Sequence, residues 1–283
     1  MPPKESKEDL LLLLSVPGNK DSVATYLRER VLSTTSPDEL LNVLVDQYRR
    51  AVERSGTNGT ITLQDLEGSN PAVTVFTEVD FVDLVVFEFL KNKVTSVPLT
   101  IEEWAKTVVA PNSTLPREST LSSLTNILVS FFTMLLQQQI YPHKKAQICL
   151  TGLCVASNDL QLLRQLVHFH VLLDSQEIAE ILTAQSSSPW CVQSGKDMLW
   201  RLKDGEALLK LVEKEKGSSI GVCLVGLLKQ KSFQLNLGRA LEVLEAKLEH
   251  TEFNAVVDVV VDALQDAQDL GNVGGSEKWI DIR

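Results

Sequence analysis

The sequence predicts an all-α protein, an α-solenoid-like array of stacked helical hairpins. Three observations carry that expectation. Apolar residues recur at intervals of three and four along most of the 283-residue chain. From Pro142 onward, helical runs alternate with short polar breaks at Asn158-Asp159, Asp174-Ser175, Ser186-Ser187-Ser188-Pro189, Asp204-Gly205 and Gly217-Ser218. Hydrophobic residues make up 44% of the chain but aromatics only 6%, so the core should be large and aliphatic. No fixed-period repeat is present, which argues against tetratricopeptide and ankyrin architectures. A single helical domain is expected over residues 1–283, with N-terminal helices in 1–110, a regular array in 119–270 and a bend near 111–118.

The elements follow in chain order. A leucine-rich start, Leu10 to Leu14, opens the chain. Ser36-Pro37 with Glu39 reads as a helix start with proline in the first turn, and Leu40, Leu41, Leu44, Val45 and Tyr48 form its inner face up to Gly56. Residues 55–72, rich in Gly, Ser, Thr and Asn, read as a long loop. Thr100-x-x-Glu103 is a capping box opening IEEWAKTVV, which Pro111 follows. From Leu121, apolar positions 121, 124, 128, 131 and 135, with a second stripe at 129, 132 and 136, predict a helix buried between neighbours. VVDVVVDAL, 256–264, is β-branched enough for a strand. Asp258, Asp262, Asp266 and Asp269 nevertheless mark one helical face, opposite Phe253, Val256, Val257, Val260 and Leu264, so helix is expected.

Composition excludes several functions. A formal charge of −10 repels phosphate backbones and argues against nucleic acid as a partner. Cys149, Cys154, Cys191 and Cys223 form no C-x-x-C pair and read as small buried residues of a reduced, cytoplasmic protein. MPPKESKEDLLLLLSVPGNK does not read as a signal peptide, since Glu5, Glu8 and Asp9 interrupt it. LSSLTNILVSFFTMLLQQQI, 121–140, is too polar for a membrane span, so any membrane association should be peripheral. The glycines match no phosphate loop, and HExxH and GxSxG are absent; Gly221 and Gly226 read as sites of close helix contact. Trp190, Trp200 and Trp279 read as core or edge anchors. The acidic C-terminal face is a solvated face, with a basic partner surface as the alternative.

Chemistry concentrates in LVHFHVLLDSQEIAEIL, 166–182. His168 and His170 would share one ion only on an extended strand; on a helix they diverge by about 200°. The helical spacing around them therefore argues against a metal site, and no cofactor is expected. Asp174 and Glu177, three apart, read as a capping box at a corner between two helices. Cys149 and Cys154, five apart on a helix, diverge as well. Nothing places a histidine and a carboxylate around one thiol, so no catalytic residues are assigned.

Residues 135–265 carry a resemblance. The order is a helix ending near Gln139-Ile140, a second helix, the Asn158-Asp159 break, and the LLRQLVHFHVLLDS corner with His170, Val171, Leu172, Asp174 and Ser175. Asp197-Met198-Leu199 and ALEVLEAKLEHTEFNAVVDVVVDAL follow. This resembles the Mic-one domain, the C-terminal helical domain of the regulator of the Mon-one–Ccz-one complex, called Bulli in flies. The resemblance implies that His170, Asp174, Ser175 and Glu177 are structural family words rather than catalytic ones. It also implies a non-catalytic accessory subunit of a guanine-nucleotide exchange complex that activates the late-endosomal Rab GTPase. Such a subunit would have Mon-one and Ccz-one as protein partners and no small-molecule substrate. It would be cytoplasmic and peripheral on late endosomes and lysosomes, supporting endosome maturation, lysosomal trafficking and autophagy. Family members carry an N-terminal β-propeller, whereas this chain has no strand-rich blades. The chain is therefore expected to be either the C-terminal half of a longer protein or a stand-alone relative. An α-solenoid scaffold of a Vps-type tethering or coat complex is the alternative, and an unrecognised enzyme a more distant one.

Overall fold

The computed structural model describes residues 5–31, 37–55, 76–93, 100, 103–105, 118–214 and scattered helical positions between 242 and 261. Among the described residues every regular element is a helix, as the apolar spacing predicts. They fall into two compact units, Met1–Leu173 and Asp174–Arg283.

In the first unit, α1 (Glu5–Leu14) buries Leu10 and Leu14, one turn apart, against α2 (Lys20–Val31) and α3 (Asp38–Ser55). The inner face expected for α3 is buried throughout: Leu40, Leu41, Leu44, Val45 and Tyr48. The Pro37 carbonyl accepts from the N–H groups of Leu40 and Leu41, so proline starts the helix without the loss of a bond it would cause inside one. Ser36 and the expected 56–72 loop lie outside the described residues.

Next comes α4, which begins as Glu78–Asp80, widens into a π-helical stretch Phe81–Phe87 and continues as Glu88–Lys93. Thr77 caps it in a complete capping box with Asp80. The wider turn buries Phe81, Val82, Val85, Val86 and Phe87 together, and Asp83 is left to reach Lys145 at 2.7 Å. The Thr100–Glu103 box is formed, each residue's backbone N–H donating to the other's side chain. Trp104 and Ala105 behind it are buried.

Three consecutive helices complete this unit: α5 (Glu118–Gln137), α6 (Lys144–Ala156) and α7 (Leu160–His168). Leu121, Leu124, Leu128, Phe131 and Leu135 are buried, and α5 packs on both α3 and α6 as its two stripes imply. Of the second stripe, Phe132 is buried and Val129 and Leu136 half-buried. Phe131 meets the edge of Phe81 at 5.2 Å between centroids. Asp159 caps α7 through the Leu162 N–H, the break expected at Asn158-Asp159. Gly152 lets α6 approach the 103–105 turn: a Cβ there would lie 2.9 Å from both Ala105 Cβ and Trp104 Cζ3.

In the second unit, α8 (Gln176–Thr183), α9 (Pro189–Leu202) and α10 (Gly205–Lys214) pack in succession. Pro189 occupies the first turn of α9, and Asp204 caps α10 through the Ala207 N–H, so both expected breaks are present. Ile178, Ala179, Leu182, Cys191, Met198 and Leu199 form the core of the α8–α9 pair. Gly195 permits their close approach, because a Cβ there would lie 2.5 Å from Thr183 Cγ2 and 2.8 Å from the Ala179 carbonyl oxygen. Residues 253–254, 257–258 and 261 are helical, with Asp258 exposed and Phe253 half-buried, which agrees with the helix expected over 256–264. Gly221 and Gly226 lie outside the described residues.

Candidate functional site

His168 is the last residue of α7, Phe169 caps the helix, and His170 stands beyond it with φ 55°. The His170 N–H donates to the Val167 carbonyl and the Val171 N–H to the Leu166 carbonyl, the paired bonds of a left-handed C-terminal stop. Gln139 after α5, Asn158 after α6 and Lys203 at the end of α9 do the same with φ 61°, 55° and 59°. A residue in this conformation is normally glycine, and none of these four is. Both imidazoles of the His-Phe-His run are exposed, and His168 meets the Phe169 ring edge-on at 5.2 Å. No group of three or more His, Cys, Asp or Glu stands ready for a metal among the described residues.

The other three singled-out residues begin the second unit. The expected Asp174–Glu177 capping box is corrected by one residue: Ser175 is the cap. Its backbone is extended (φ −149°, ψ 152°), its carbonyl accepts the first helical bond from Ala179, and its hydroxyl accepts from the Ile178 N–H at 3.2 Å. Asp174 stands one position too early for that reach. Its carboxylate instead takes the Arg201 guanidinium in a fork, at 2.6 Å from Nε and 2.7 Å from Nη2. That pair raises the Arg201 pKa above its ordinary value. Glu177 lies in the first turn, where a carboxylate suits the positive end of the helix dipole. His170, Asp174, Ser175 and Glu177 are thus an end and a start, not one reacting cluster.

A buried polar chain in the first unit escaped the sequence reading. Glu78 is 3% exposed, and its Oε1 accepts from the His143 N–H at 3.1 Å. The carbonyl of the same peptide group, on Pro142, accepts from Gln147 Nε2 at 2.7 Å. Gln147 Oε1 then accepts from the Leu173 N–H at 2.6 Å. One side chain on α4, one peptide before α6 and one side chain within α6 therefore fix the segment that follows α7. Burial raises the Glu78 pKa; the N–H groups of Glu78 and His143 oppose the shift, and Asp80 adds to it. Glu78 in turn adds to the raised pKa of Tyr48, for which burial is the larger cause. The signals were present in the sequence: Thr77-x-x-Asp80 is a capping pattern, and Gln147 is a lone amide in the apolar run AQICLTGLC.

The thiols are packing groups. Cys149, Cys154 and Cys191 are buried and free, and Cys223 lies outside the described residues. Burial, with a smaller contribution from Asp159, pushes the Cys154 thiol up to about 12. Burial also raises the Cys191 pKa, against a hydrogen bond from Ser188. Both shifts disfavour the thiolate that nucleophilic or ligating chemistry needs. A shallow groove of about 410 Å³ on the first unit is lined by Leu13, Asp21, Ser22, Thr25, Tyr26 and Glu29. Burial and, to a smaller extent, Asp9 raise the Tyr26 pKa there, against the lowering effect of Arg30. No described helix is long and apolar enough to cross a membrane.

What these groups do is hold helices at fixed ends and joints. A sequence model described as regulator of MON1-CCZ1 complex, C-terminal, matches residues 91–259, more than half of the 283-residue chain. No individual curated protein matches the chain.

Proposed function

The chain belongs to the family of the regulator of MON1-CCZ1 complex, C-terminal, and from that premise we propose that it is a non-catalytic accessory subunit of the MON1–CCZ1 complex. In this reading the exchange chemistry on the late-endosomal Rab GTPase resides in MON1 and CCZ1, and this chain is the helical scaffold that supports it. Its place is cytoplasmic, peripheral on late endosomes and lysosomes through the complex, with consequences for endosome maturation, lysosomal trafficking and autophagy.

The observation that carries the reading is the family match over 91–259, the stretch that contains α5 to α10. The architecture supports it: described helices packed in succession with capped ends are the build of helical scaffolds. The test is co-elution of the full chain with purified MON1–CCZ1, followed by Rab nucleotide release with and without it. A stoichiometric complex is expected, with no release by the chain alone. Failure to co-elute, or exchange catalysed by the isolated chain, overturns the proposal.

A further inference from the structure

Three hydrogen bonds in the first unit run head to tail in one direction. The Leu173 N–H donates to Gln147 Oε1 at 2.6 Å, Gln147 Nε2 to the Pro142 carbonyl at 2.7 Å, and the His143 N–H to Glu78 Oε1 at 3.1 Å. Two amide groups link them, the Gln147 side chain and the Pro142–His143 peptide. Every N–H in the row therefore points toward Glu78. Amides aligned in this way polarise one another, and the effect is largest where water is excluded. Glu78, Gln147 and Pro142 are all buried.

The row ends on the one member that can change charge. Glu78 Oε2 is buried with no hydrogen-bond partner among the described residues, so the carboxyl meets the row through Oε1. Other titratable groups surround it. On its own helix, Asp80 takes Lys20 of α2 at 3.1 Å and the Thr77 N–H at 2.9 Å, and Asp83 takes Lys145 of α6 at 2.7 Å. Tyr48 of α3 is buried, with its pKa raised. At the start of α6 the Lys144 side chain and the His143 imidazole are exposed, and His143 Nδ1 accepts from the Lys145 N–H at 3.1 Å. Burial favours the neutral Glu78 carboxyl, while the N–H groups of Glu78 and His143 favour the ionised one and Asp80 opposes it. The bond that begins the row is thus stronger to the charged form.

We propose that Glu78 is a proton-operated anchor for this relay. Ionised, it strengthens the His143 bond, and through it the two beyond, so that the Leu173 end is held firmly. Protonated, it is a weaker acceptor, and the segment leaving α7 is held less. That segment carries Phe169 and Leu173, both exposed apolar side chains. The coupling is reciprocal: bonds that pin Leu173 also favour the charged carboxyl. It runs opposite to the effect on the whole fold, where ionising a buried carboxyl costs stability, so local and global measurements separate the two.

The experiment is amide hydrogen exchange by NMR on the full chain, wild type and Glu78→Gln, from about pH 5 to 8. The ratio of the two rates at one amide cancels the intrinsic pH dependence of exchange. At Leu173 the wild-type to variant ratio should fall about threefold as pH rises, with the midpoint of the Glu78 carboxyl-carbon titration. The Ile178 N–H, held by Ser175 at 3.2 Å outside the relay, should show no such fall. His143→Asn keeps the backbone N–H and a capping side chain but removes the imidazole, and should leave the fall at Leu173 in place. By reciprocity, Gln147→Leu should raise the Glu78 midpoint; if that variant does not fold, the comparison of wild type with Glu78→Gln decides without it. A Leu173 ratio that stays flat or rises with pH overturns the proposal. So does a fall shared by Ile178, or one that His143→Asn abolishes, which would assign the proton to the imidazole.

Discussion

In the 1–173 unit, α6 meets its neighbours through Gln147 and Gly152; in the 174–283 unit, α9 meets α8 through Gly195. The two glycines face different walls. A Cβ at Gly152 meets the Trp104 ring and both the Cβ and the backbone Cα of Ala105, whereas one at Gly195 meets the Ala179 carbonyl and the Thr183 backbone nitrogen as well as a methyl, and meets them closer. Ala105 carries its Cβ on helix backbone and can move only with it, so both walls are stiff and the shorter contacts at Gly195 make the difference. The first unit also spends a buried amide and a buried carboxyl on joining its segments, while the α8–α9 pair relies on close backbone contact. Joining three connections needs directional bonds; joining two successive helices needs only small residues at the crossing.

The largest expected effect follows from that contrast. Gly195→Ala should destabilise by about 3 kcal/mol, since its Cβ would stand 2.5 Å from Thr183 Cγ2 and 2.8 Å from the Ala179 carbonyl oxygen. Gly152→Ala should cost less, about 1–2 kcal/mol, because its Cβ would stand 2.9 Å from Ala105 Cβ and Trp104 Cζ3 and 3.2 Å from the nearest backbone atom. Urea midpoints of the two variants test this, and equal losses would remove the distinction between the crossings. Next in size is Gln147→Leu. It keeps the volume but leaves the Pro142 carbonyl and Leu173 N–H without their partner, for a loss of about 2–3 kcal/mol. Faster amide exchange at Leu173 should accompany it, and an unchanged Leu173 rate would show that the clamp does not hold that segment.

Glu78 makes the comparison sensitive to pH. Its carboxyl is raised above 4.5 in the folded chain, so the folded state holds that proton more firmly than the unfolded state. The stability this contributes is full below the unfolded pKa and is lost as pH rises through the folded one. Glu78→Gln cannot ionise, and its amide oxygen can still accept from the His143 N–H. The variant should therefore gain stability relative to wild type as pH rises from about 5 to 8. A difference that stays constant across that range would mean the carboxyl is not held protonated by the fold.

Local rules made much of this legible. Thr100-Glu103, Asp159, Pro189 and Asp204 mark their helix starts because a cap needs only a few neighbouring residues. The spacing of Leu121 to Leu135 gave α5 two partners because a wide apolar face must be covered from both sides. The family was legible in the order of breaks and the words at the corner. What escaped depended on partners distant in sequence. Asp174 has a good cap chemistry, yet Arg201, 27 residues on, holds it and leaves the cap to Ser175. Glu78 and Gln147 acquire meaning only when α4, the Pro142 peptide and Leu173 meet. Ser175→Ala should therefore cost about 1 kcal/mol, and Asp174→Ala less, since its pair with Arg201 is half open to solvent. The reverse order would restore Asp174 as the cap.

The smallest effect is a gain. A non-glycine residue in the left-handed region costs about 1–2 kcal/mol, and glycine's extra unfolded freedom returns about 0.5–1 kcal/mol of any relief. His170→Gly should thus stabilise by about 0.5–1 kcal/mol, and Lys203→Gly in the other unit by a similar amount. Asn158→Gly should gain less, because asparagine tolerates this conformation through its short polar side chain. Urea melts of the three variants place the strain. Gains at His170 and Lys203 with little change at Asn158 would show that both units accept the same backbone cost at their helix stops. If His170→Gly were neutral while Lys203→Gly gained, contacts of the imidazole would have to offset the strain at the first corner. The His-Phe-His run would then contribute to folding as well as to the surface it presents.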